Sequence, residues 1–167
     1  MDQEKVILKI EKCREEAVIP TFANFGDAGM DLYSCKDVLI EPGRSALIPI
    51  GIKMAIPVGY EVQIRPRSGI SLNTPIRIPN APGTIDSGYR DEINVILYNC
   101  SFMNESIDGE PLTLKTKGNK HGNYLIKKGD RVAQMVFAKV TYPEIEVVAS
   151  VQEEGVNRGG GFGSSGI

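Results

Sequence analysis

Apolar residues recur along this chain with the spacing of β-strands. In residues 60–65 (YEVQIR), apolar and polar side chains alternate strictly, which is typical of a strand with one buried face. Further runs rich in β-branched residues are separated by glycine, proline, asparagine and aspartate. These runs predict strands within residues 6–10, 45–56, 93–98, 132–140 and 145–148. Helical periodicity is confined to one short turn, predicted at residues 68–73.

Two stretches do not follow the strand pattern. Residues 101–123 are polar and far longer than the median connection of ~4–6 residues. They predict an exposed insertion with a hairpin of its own at residues 111–115, and we expect its basic run, residues 115–120 (KTKGNK), to be solvated. Residues 152–167 are expected to form a flexible C-terminal arm, which leaves residues 1–151 as a single β domain.

Short strands joined by proline and glycine turns indicate an all-β sandwich, jelly roll or barrel. The chain has 167 residues, of which 41% are hydrophobic and 24% charged, as in one globular domain. Its net charge of -2 argues against nucleic acid or an anionic membrane as partner. Three widely spaced cysteines and the absence of a signal-peptide pattern favour a cytoplasmic location with reduced thiols.

The last ten residues, 158–167 (RGGGFGSSGI), combine flexibility with specific chemistry. Five of them are glycine, so this segment is not rigid on its own. Arg158 offers a planar fork of donors that suits phosphate oxygens, and Phe162 offers a ring that can cover a base. We interpret the segment as a mobile lid over a nucleotide polyphosphate. The alternative is a frayed glycine-serine terminus.

Candidate water-activating chemistry lies in residues 83–95 (GTIDSGYRDEINV), which predict two strands around a tight turn at residues 87–91. Asp86 lies at the edge of that turn, where a rigidly held carboxylate can accept a proton from an attacking water. The ring of Tyr89 can pack on a sugar. Taken alone, both residues could equally be ordinary turn residues.

Candidate phosphate-binding groups lie in three other segments. Arg67, the hydroxyl of Ser68 and the backbone N–H at Gly69 can form an anion-binding nest. The amide of Gln134 is a donor at the start of a predicted strand. Asp31 lies at a transition from turn to strand, with Asp27 as a competing carboxylate.

These segments, in this order, resemble the homotrimeric dUTP pyrophosphatase (dUTPase) family over nearly the whole chain. That family has five short motifs. They are matched here by residues 28–33 (AGMDLY), 65–69 (RPRSG), 80–90 (NAPGTIDSGYR), 129–134 (GDRVAQ) and 158–166 (RGGGFGSSG).

The resemblance implies a jelly-roll β-barrel that forms a homotrimer, with each active site drawing on all three chains. It implies hydrolysis of dUTP to dUMP and pyrophosphate. Mg²⁺ would be held mainly by the triphosphate, with Asp31 near its water shell. Asp86 would position and deprotonate the water that attacks the α-phosphorus.

The resemblance also assigns the contacts to substrate. Uracil would be read by the backbone near Gly83 and Asn94, the sugar would pack on Tyr89, the γ-phosphate would meet Arg158, and Phe162 would lie over the base. The full set expected to bind substrate is Arg67, Ser68, Gly69, Asn80, Gly83, Tyr89, Asn94, Gln134, Arg158, Phe162, Gly163 and Ser164.

The chain departs from the family pattern at three places. Asp91 stands where the family usually has glycine. The insertion at residues 101–123 is longer than is usual in the family, and Arg158 and Phe162 are separated by one residue fewer than in the common family spacing. Two alternatives remain: a relative of dCTP deaminase, which can be bifunctional, and a nucleotide-sensing regulator that binds a protein partner through the insertion. The IDxxYR pattern at residues 85–90 favours the hydrolase.

Overall fold

The computed structural model describes residues 5–102, 110–152, 154–156 and 159. Within these residues the chain forms strands and one short helix, α1 (Ser68–Asn73). The strands are β1 (Lys9–Lys12), β2 (Gly29–Tyr33), β3 (Val38–Ile40), β4 (Ser45–Pro49), β5 (Ile52–Ala55), β6 (Tyr60–Arg65), β7 (Ile76–Arg77), β8 (Gly83–Ile85), β9 (Asn94–Asn99), β10 (Tyr124–Ile126) and β11 (Arg131–Lys139).

All named strands pair antiparallel. The largest sheet has the order β2-β11-β6-β8, a second has the order β4-β9-β7, and β1-β5 and β10-β3 form two-stranded ribbons. The sheets enclose one core of isoleucine, valine, leucine and methionine side chains. Alternate residues of each strand point into it, as Val62 and Ile64 do in β6. This arrangement confirms the all-β, jelly-roll class.

The strict alternation of residues 60–65 predicted β6, and the short helical turn matches α1; both predictions are confirmed to the residue. The run 45–56 is not one strand, because it breaks between β4 and β5 at Gly51. The φ of Gly51 is +76°, and a Cβ there would lie 2.8 Å from the Cβ of Ala17. Glycine is therefore required at this turn.

The strand predicted at residues 145–148 is wrong for the single chain. These residues form no strand, and Ile145 and Val147 are 85% and 93% exposed. The hairpin predicted at residues 111–115 is also wrong. Leu112 instead forms a parallel bridge with Tyr124. No helix in the described part of the chain is long and apolar enough to cross a membrane.

Candidate functional site

Strand register brings three polar residues into one row across the largest sheet. In β11, Gln134 lies opposite Asp31 of β2 on one side and opposite Arg65 of β6 on the other. Directly opposed residues of neighbouring strands share a face. The row therefore places a carboxylate, an amide and a guanidinium side by side at the end of β6, where the chain turns into α1.

A β-bulge in β11 adds a further cation to this face. Arg131 and Gln134 are three positions apart, so a regular strand would point them to opposite faces. The register shifts between Arg131 and Ala133, and the extra residue restores a common face. The sequence predicted Gln134 as a phosphate donor and missed Arg131, since the bulge leaves no signature in the apolar pattern.

Asp31 holds two guanidiniums. Arg67 Nε lies 2.8 Å from its Oδ1, and Arg131 NH1 lies 3.1 Å from its Oδ2. The side chain of Asp31 is 14% exposed, whereas that of Arg131 is 52% exposed. A guanidinium has five donors, so both arginines keep donors for an anion after these contacts. Asp31 thus fixes the direction of two cations.

The Gln134 amide is fixed by its neighbours. Its Nε2 donates a hydrogen bond of 2.9 Å to the carbonyl of Pro66. Gly29 lies against the same side chain, and a Cβ at Gly29 would collide with the amide oxygen of Gln134. Glycine at this position is a second feature that the sequence analysis missed, although the AGMDLY motif contains it.

These groups line one cleft of about 580 Å³, the phosphate cleft. It contains five residues predicted from the sequence, which are Asp31, Arg67, Ser68, Gly69 and Gln134. Its remaining lining residues are Ala23, Asp27, Ala28, Gly29 and Arg131. The cleft combines anchored guanidinium, hydroxyl and amide donors, which suits it to phosphate oxygens.

The other described candidates lie around the connection from β8 to β9. Gly83 of β8 pairs with Ile64 of β6, and a Cβ at Gly83 would lie 3.2 Å from Nδ2 of Asn80. Asn94 begins β9, which belongs to the other large sheet. The two strands predicted around a tight turn are both present, but they lie in different sheets and do not pair with each other as a hairpin.

Asp86 and Tyr89 are held by this turn. The backbone N–H of Tyr89 donates to the carbonyl of Asp86 at 3.1 Å, and the hydroxyl of Tyr89 donates to the carbonyl of Glu92 at 3.1 Å. Asn94 Nδ2 also donates to the carbonyl of Glu92. The carboxylate of Asp86 is exposed and makes no hydrogen bond or ion pair with any residue that the structure describes. It remains available to accept a hydrogen bond from water.

Glu92 ties the turn to the N-terminal segment. Its carboxylate accepts two hydrogen bonds from Arg14, of 2.5 and 2.7 Å, and one of 3.1 Å from the backbone N–H of Gly51. The hydrogen bond from Arg14 is the main reason that the pKa of Glu92 is lowered. The sequence analysis missed this pair because 78 positions separate the two residues.

The single chain does not bring all the candidates together. The cleft that holds Arg67 and Gln134 is not lined by Asp86, Tyr89 or Asn94. Arg158, Phe162, Gly163 and Ser164 lie outside the described residues. No cluster of three or more His, Cys, Asp or Glu side chains able to hold a metal ion occurs in the described ranges.

The fold and site define a class, that of jelly-roll proteins with a cleft of guanidinium, hydroxyl and amide donors and a turn that exposes the carboxylate of Asp86. The sequence profile of the dUTPase family matches residues 15–110 and 102–166. This chain therefore belongs to the dUTPase family, which confirms the resemblance drawn from its motifs.

Named relatives and solved structures agree with this assignment. The deoxyuridine 5'-triphosphate nucleotidohydrolase of Clostridium tetani is 42% identical over 95% of this chain and 96% of its own length. That of Nautilia profundicola is 44% identical over 95% of this chain and 98% of its own length.

Two phage proteins share the fold. The dUTPase of Staphylococcus bacteriophage 80alpha, solved with dUpNHpp, superposes with a TM-score of 0.85 at 30% identity, covering 98% of this chain and 100% of that chain. A mutant of the dUTPase from phage phi11 of S. aureus, whose structure describes the coordination of a structural Mg(II) ion, superposes with a TM-score of 0.79 at 29% identity. That match covers 87% of this chain and 98% of the other.

Proposed function

We propose that this protein hydrolyses dUTP to dUMP and pyrophosphate, as a dUTP diphosphatase. The observation that carries the proposal is the phosphate cleft, in which Asp31 orients Arg67 and Arg131 beside Gln134, in a chain of the dUTPase family. The reaction limits incorporation of uracil into DNA and supplies dUMP for synthesis of dTMP.

In this proposal the phosphate cleft binds the triphosphate. Arg67, the Ser68 hydroxyl, the Gly69 backbone and the Gln134 amide donate to phosphate oxygens, and Arg158 of the C-terminal arm meets the γ-phosphate. Phosphoryl transfer depends mainly on positioning and charge neutralisation, which such donors supply. Phe162 covers the base, with Gly163 and Ser164 completing the contacts of the arm.

Asp86 is the catalytic residue of the proposal. Its exposed carboxylate, free of protein partners among the described residues, positions the water and takes its proton as the oxygen attacks the α-phosphorus. The Tyr89 ring, oriented by the hydrogen bond from its hydroxyl to Glu92, packs on deoxyribose and leaves no room for a 2'-hydroxyl.

Base selection is assigned to the backbone of the buried residue Gly83, to Asn80 beside it, and to Asn94 at the start of β9. Uracil and cytosine present opposite donor and acceptor groups at two positions, so cytosine would leave polar groups unpaired. A site built in this way can reject the wrong base by ~10⁴-fold.

Mg²⁺ is the proposed cofactor, bound mainly by the triphosphate. The donor set of the cleft fits this mode. Both oxygens of Asp31 contact guanidiniums, and the lining residues include one other carboxylate, Asp27, so the described residues form no cluster of three ligands. A carboxylate oxygen retains a lone pair after one such bond, so Asp31 can still accept a hydrogen bond from the water shell of the ion. The ion would neutralise charge on the phosphates.

A homotrimer with shared sites is the proposed assembly. Asp86 and the phosphate cleft do not meet within one chain, and residues 141–151 run along the surface with Ile145, Val147 and Val151 exposed. Their alternating apolar pattern is that of a strand, and a second copy of the chain would provide the sheet edge that this segment lacks. We also propose a cytoplasmic location, since Cys13, Cys35 and Cys100 are free thiols.

Pyrophosphate release from a panel of nucleoside triphosphates with Mg²⁺ tests the proposal. dUTP should be the preferred substrate over UTP, dCTP and dTTP. Release of ammonia from dCTP would instead identify a deaminase. The remaining alternative, a protein partner bound through the insertion at residues 101–123, stays a prediction that a pull-down with and without the insertion would test.

A further inference from the structure

A second cleft, of about 400 Å³, adjoins the phosphate cleft. Arg67, Gly69 and Arg131 line both clefts, so the two share a wall. The second cleft, here the lysine cleft, is bounded on one side by α1 and on the other by Leu114, Lys115, Thr116 and Lys117 of the insertion.

The basic segment is anchored against α1. The backbone N–H of Asn119 donates to the carbonyl of Asn73, the last residue of α1, at 2.8 Å. Leu112 exchanges backbone hydrogen bonds with Asn123 and Leu125, both of 2.8 Å. Lys115 and Lys117 are exposed, as expected of a solvated basic run, and they also line the lysine cleft, between the anchored residues Leu112 and Asn119.

The lysine cleft has more positive than negative side chains. It is lined by four cations, Arg67, Arg131, Lys115 and Lys117, and by one carboxylate, Asp130. Neither lysine ammonium forms an ion pair with a residue in the described ranges, and Asp130 is engaged by the backbone N–H of Lys127. Even after Asp31 neutralises one guanidinium, a net positive charge remains for an anion.

Part of the lining of the lysine cleft is apolar. Ile70 is buried and Leu114 packs against the core, so the floor of the cleft is apolar. Thr116 Oγ1 accepts a hydrogen bond from the N–H of Thr113 at 3.2 Å, which leaves its own proton as a donor. Cations beside an apolar floor attract an anion more strongly than cations in open water.

We infer that the lysine cleft binds the terminal phosphates of the substrate and the pyrophosphate that leaves. Arg67 and Arg131 line both this cleft and the phosphate cleft, so a polyphosphate bound in one can reach the cations of the other. Lys115 and Lys117 supply compact charges that suit a multiply charged terminal group. The inference rests on the proposed function and assigns a substrate-binding role to residues of the insertion.

Binding of inorganic pyrophosphate with Mg²⁺ to the full-length protein, measured by calorimetry, tests the inference without turnover. In the double variant Lys115→Ala/Lys117→Ala the Kd should rise at least ~10-fold, since charge-assisted contacts are lost. The double variant Lys115→Arg/Lys117→Arg should bind within ~3-fold of wild type, because it keeps the charge. The KM for dUTP should rise in the alanine variant, while binding of dUMP, which lacks the terminal phosphates, should not weaken.

The matched control removes the same charge from neighbouring lysines that line neither cleft. Lys120→Ala/Lys127→Ala should leave the pyrophosphate Kd within ~2-fold, if local contacts rather than net charge bind the anion. An unchanged Kd in the Lys115/Lys117 alanine variant, or an equal loss in the control, would overturn the inference. If the protein binds pyrophosphate through Lys115 and Lys117 but does not cleave dUTP, the proposed function is overturned. The anion-binding role of the lysine cleft would still hold.

Discussion

Asp31 is the residue on which the phosphate cleft depends. It holds Arg67, which directly precedes α1, and Arg131 of β11, so its loss would release two cations at once. An arginine free in solvent samples many rotamers, and fixing it again on binding costs up to about 2 kcal/mol.

We therefore expect Asp31→Asn to raise the KM for dUTP by ~10-fold, the equivalent of about 1.4 kcal/mol. The unfolding temperature should change little, because asparagine keeps the shape of the side chain and both arginines stay partly exposed to solvent. Asp37→Asn, which alters another carboxylate near the barrel surface, serves as the control. A normal KM in Asp31→Asn would contradict the role of this residue as the anchor of the cleft.

Asp86 carries the proposed proton transfer. Asp86→Asn keeps the shape of the side chain and removes the base, so turnover of dUTP should fall at least ~10²-fold, while a non-hydrolysable analogue still binds. The control is Asp91→Asn in the same connection, where the carboxylate is also exposed. Near-normal turnover in Asp86→Asn, or an equal loss in Asp91→Asn, would remove the assignment.

At the level of elements, the turn between β8 and β9 is held by the Arg14–Glu92 pair. Glu92 also accepts, through its carbonyl, the hydrogen bonds that orient Tyr89 and Asn94. The pair thus links the N-terminal segment to the part of the chain that carries the proposed water-activating and sugar-binding groups.

The lowered pKa of Glu92 gives this link a pH dependence. A carboxyl whose pKa is lower in the folded than in the unfolded protein stabilises the fold fully above the unfolded value, about 4.3. That contribution is lost as the pH falls through the folded pKa. Glu92→Gln should therefore unfold a few degrees below wild type at neutral pH, and the gap should narrow below about pH 4. The exposed Glu41→Gln should show no such gap; a gap for Glu92→Gln that does not depend on pH would contradict this reading.

Strands and turns could be predicted where the signal lies in neighbouring residues of the sequence. Strict alternation predicted β6, and residues 65–69 predicted the donors that follow it. Gly51, which separates β4 from β5, carried a turn signal that the apolar run 45–56 masked. Contacts between distant segments, such as Arg14 with Glu92 and the bulge that turns Arg131 to the cleft, depend on the folded chain and leave no pattern in the sequence.

At the level of the whole molecule, two observations support the proposed assembly of several chains: residues 145–148 form no strand within one chain, and the candidate site is divided. The segment has the composition of a strand but no partner in its own chain, and the phosphate cleft lacks Asp86. Sequence patterns report the tendency of a segment to pair and not the chain with which it pairs.

A shared site predicts complementation between inactive chains. Sedimentation should give roughly three times the 18.2 kDa of one chain. Chains with Asp86→Asn, mixed with chains truncated after residue 157, should recover activity, because some mixed trimers combine an intact turn with an intact arm. Mixing the Asp86→Asn chains with themselves is the control. A monomer, or the absence of rescue when exchange of chains is demonstrated, would contradict shared sites.

In the proposed reaction, water activated by this protein attacks the α-phosphorus of dUTP. Turnover of dUTP with Mg²⁺ in water enriched in heavy oxygen, followed by mass spectrometry, tests it most directly. The expected result is equal amounts of dUMP and pyrophosphate, with the heavy oxygen in dUMP. Heavy oxygen in pyrophosphate would place the attack on the β-phosphorus, and release of inorganic phosphate or no cleavage of dUTP would contradict the proposed reaction itself.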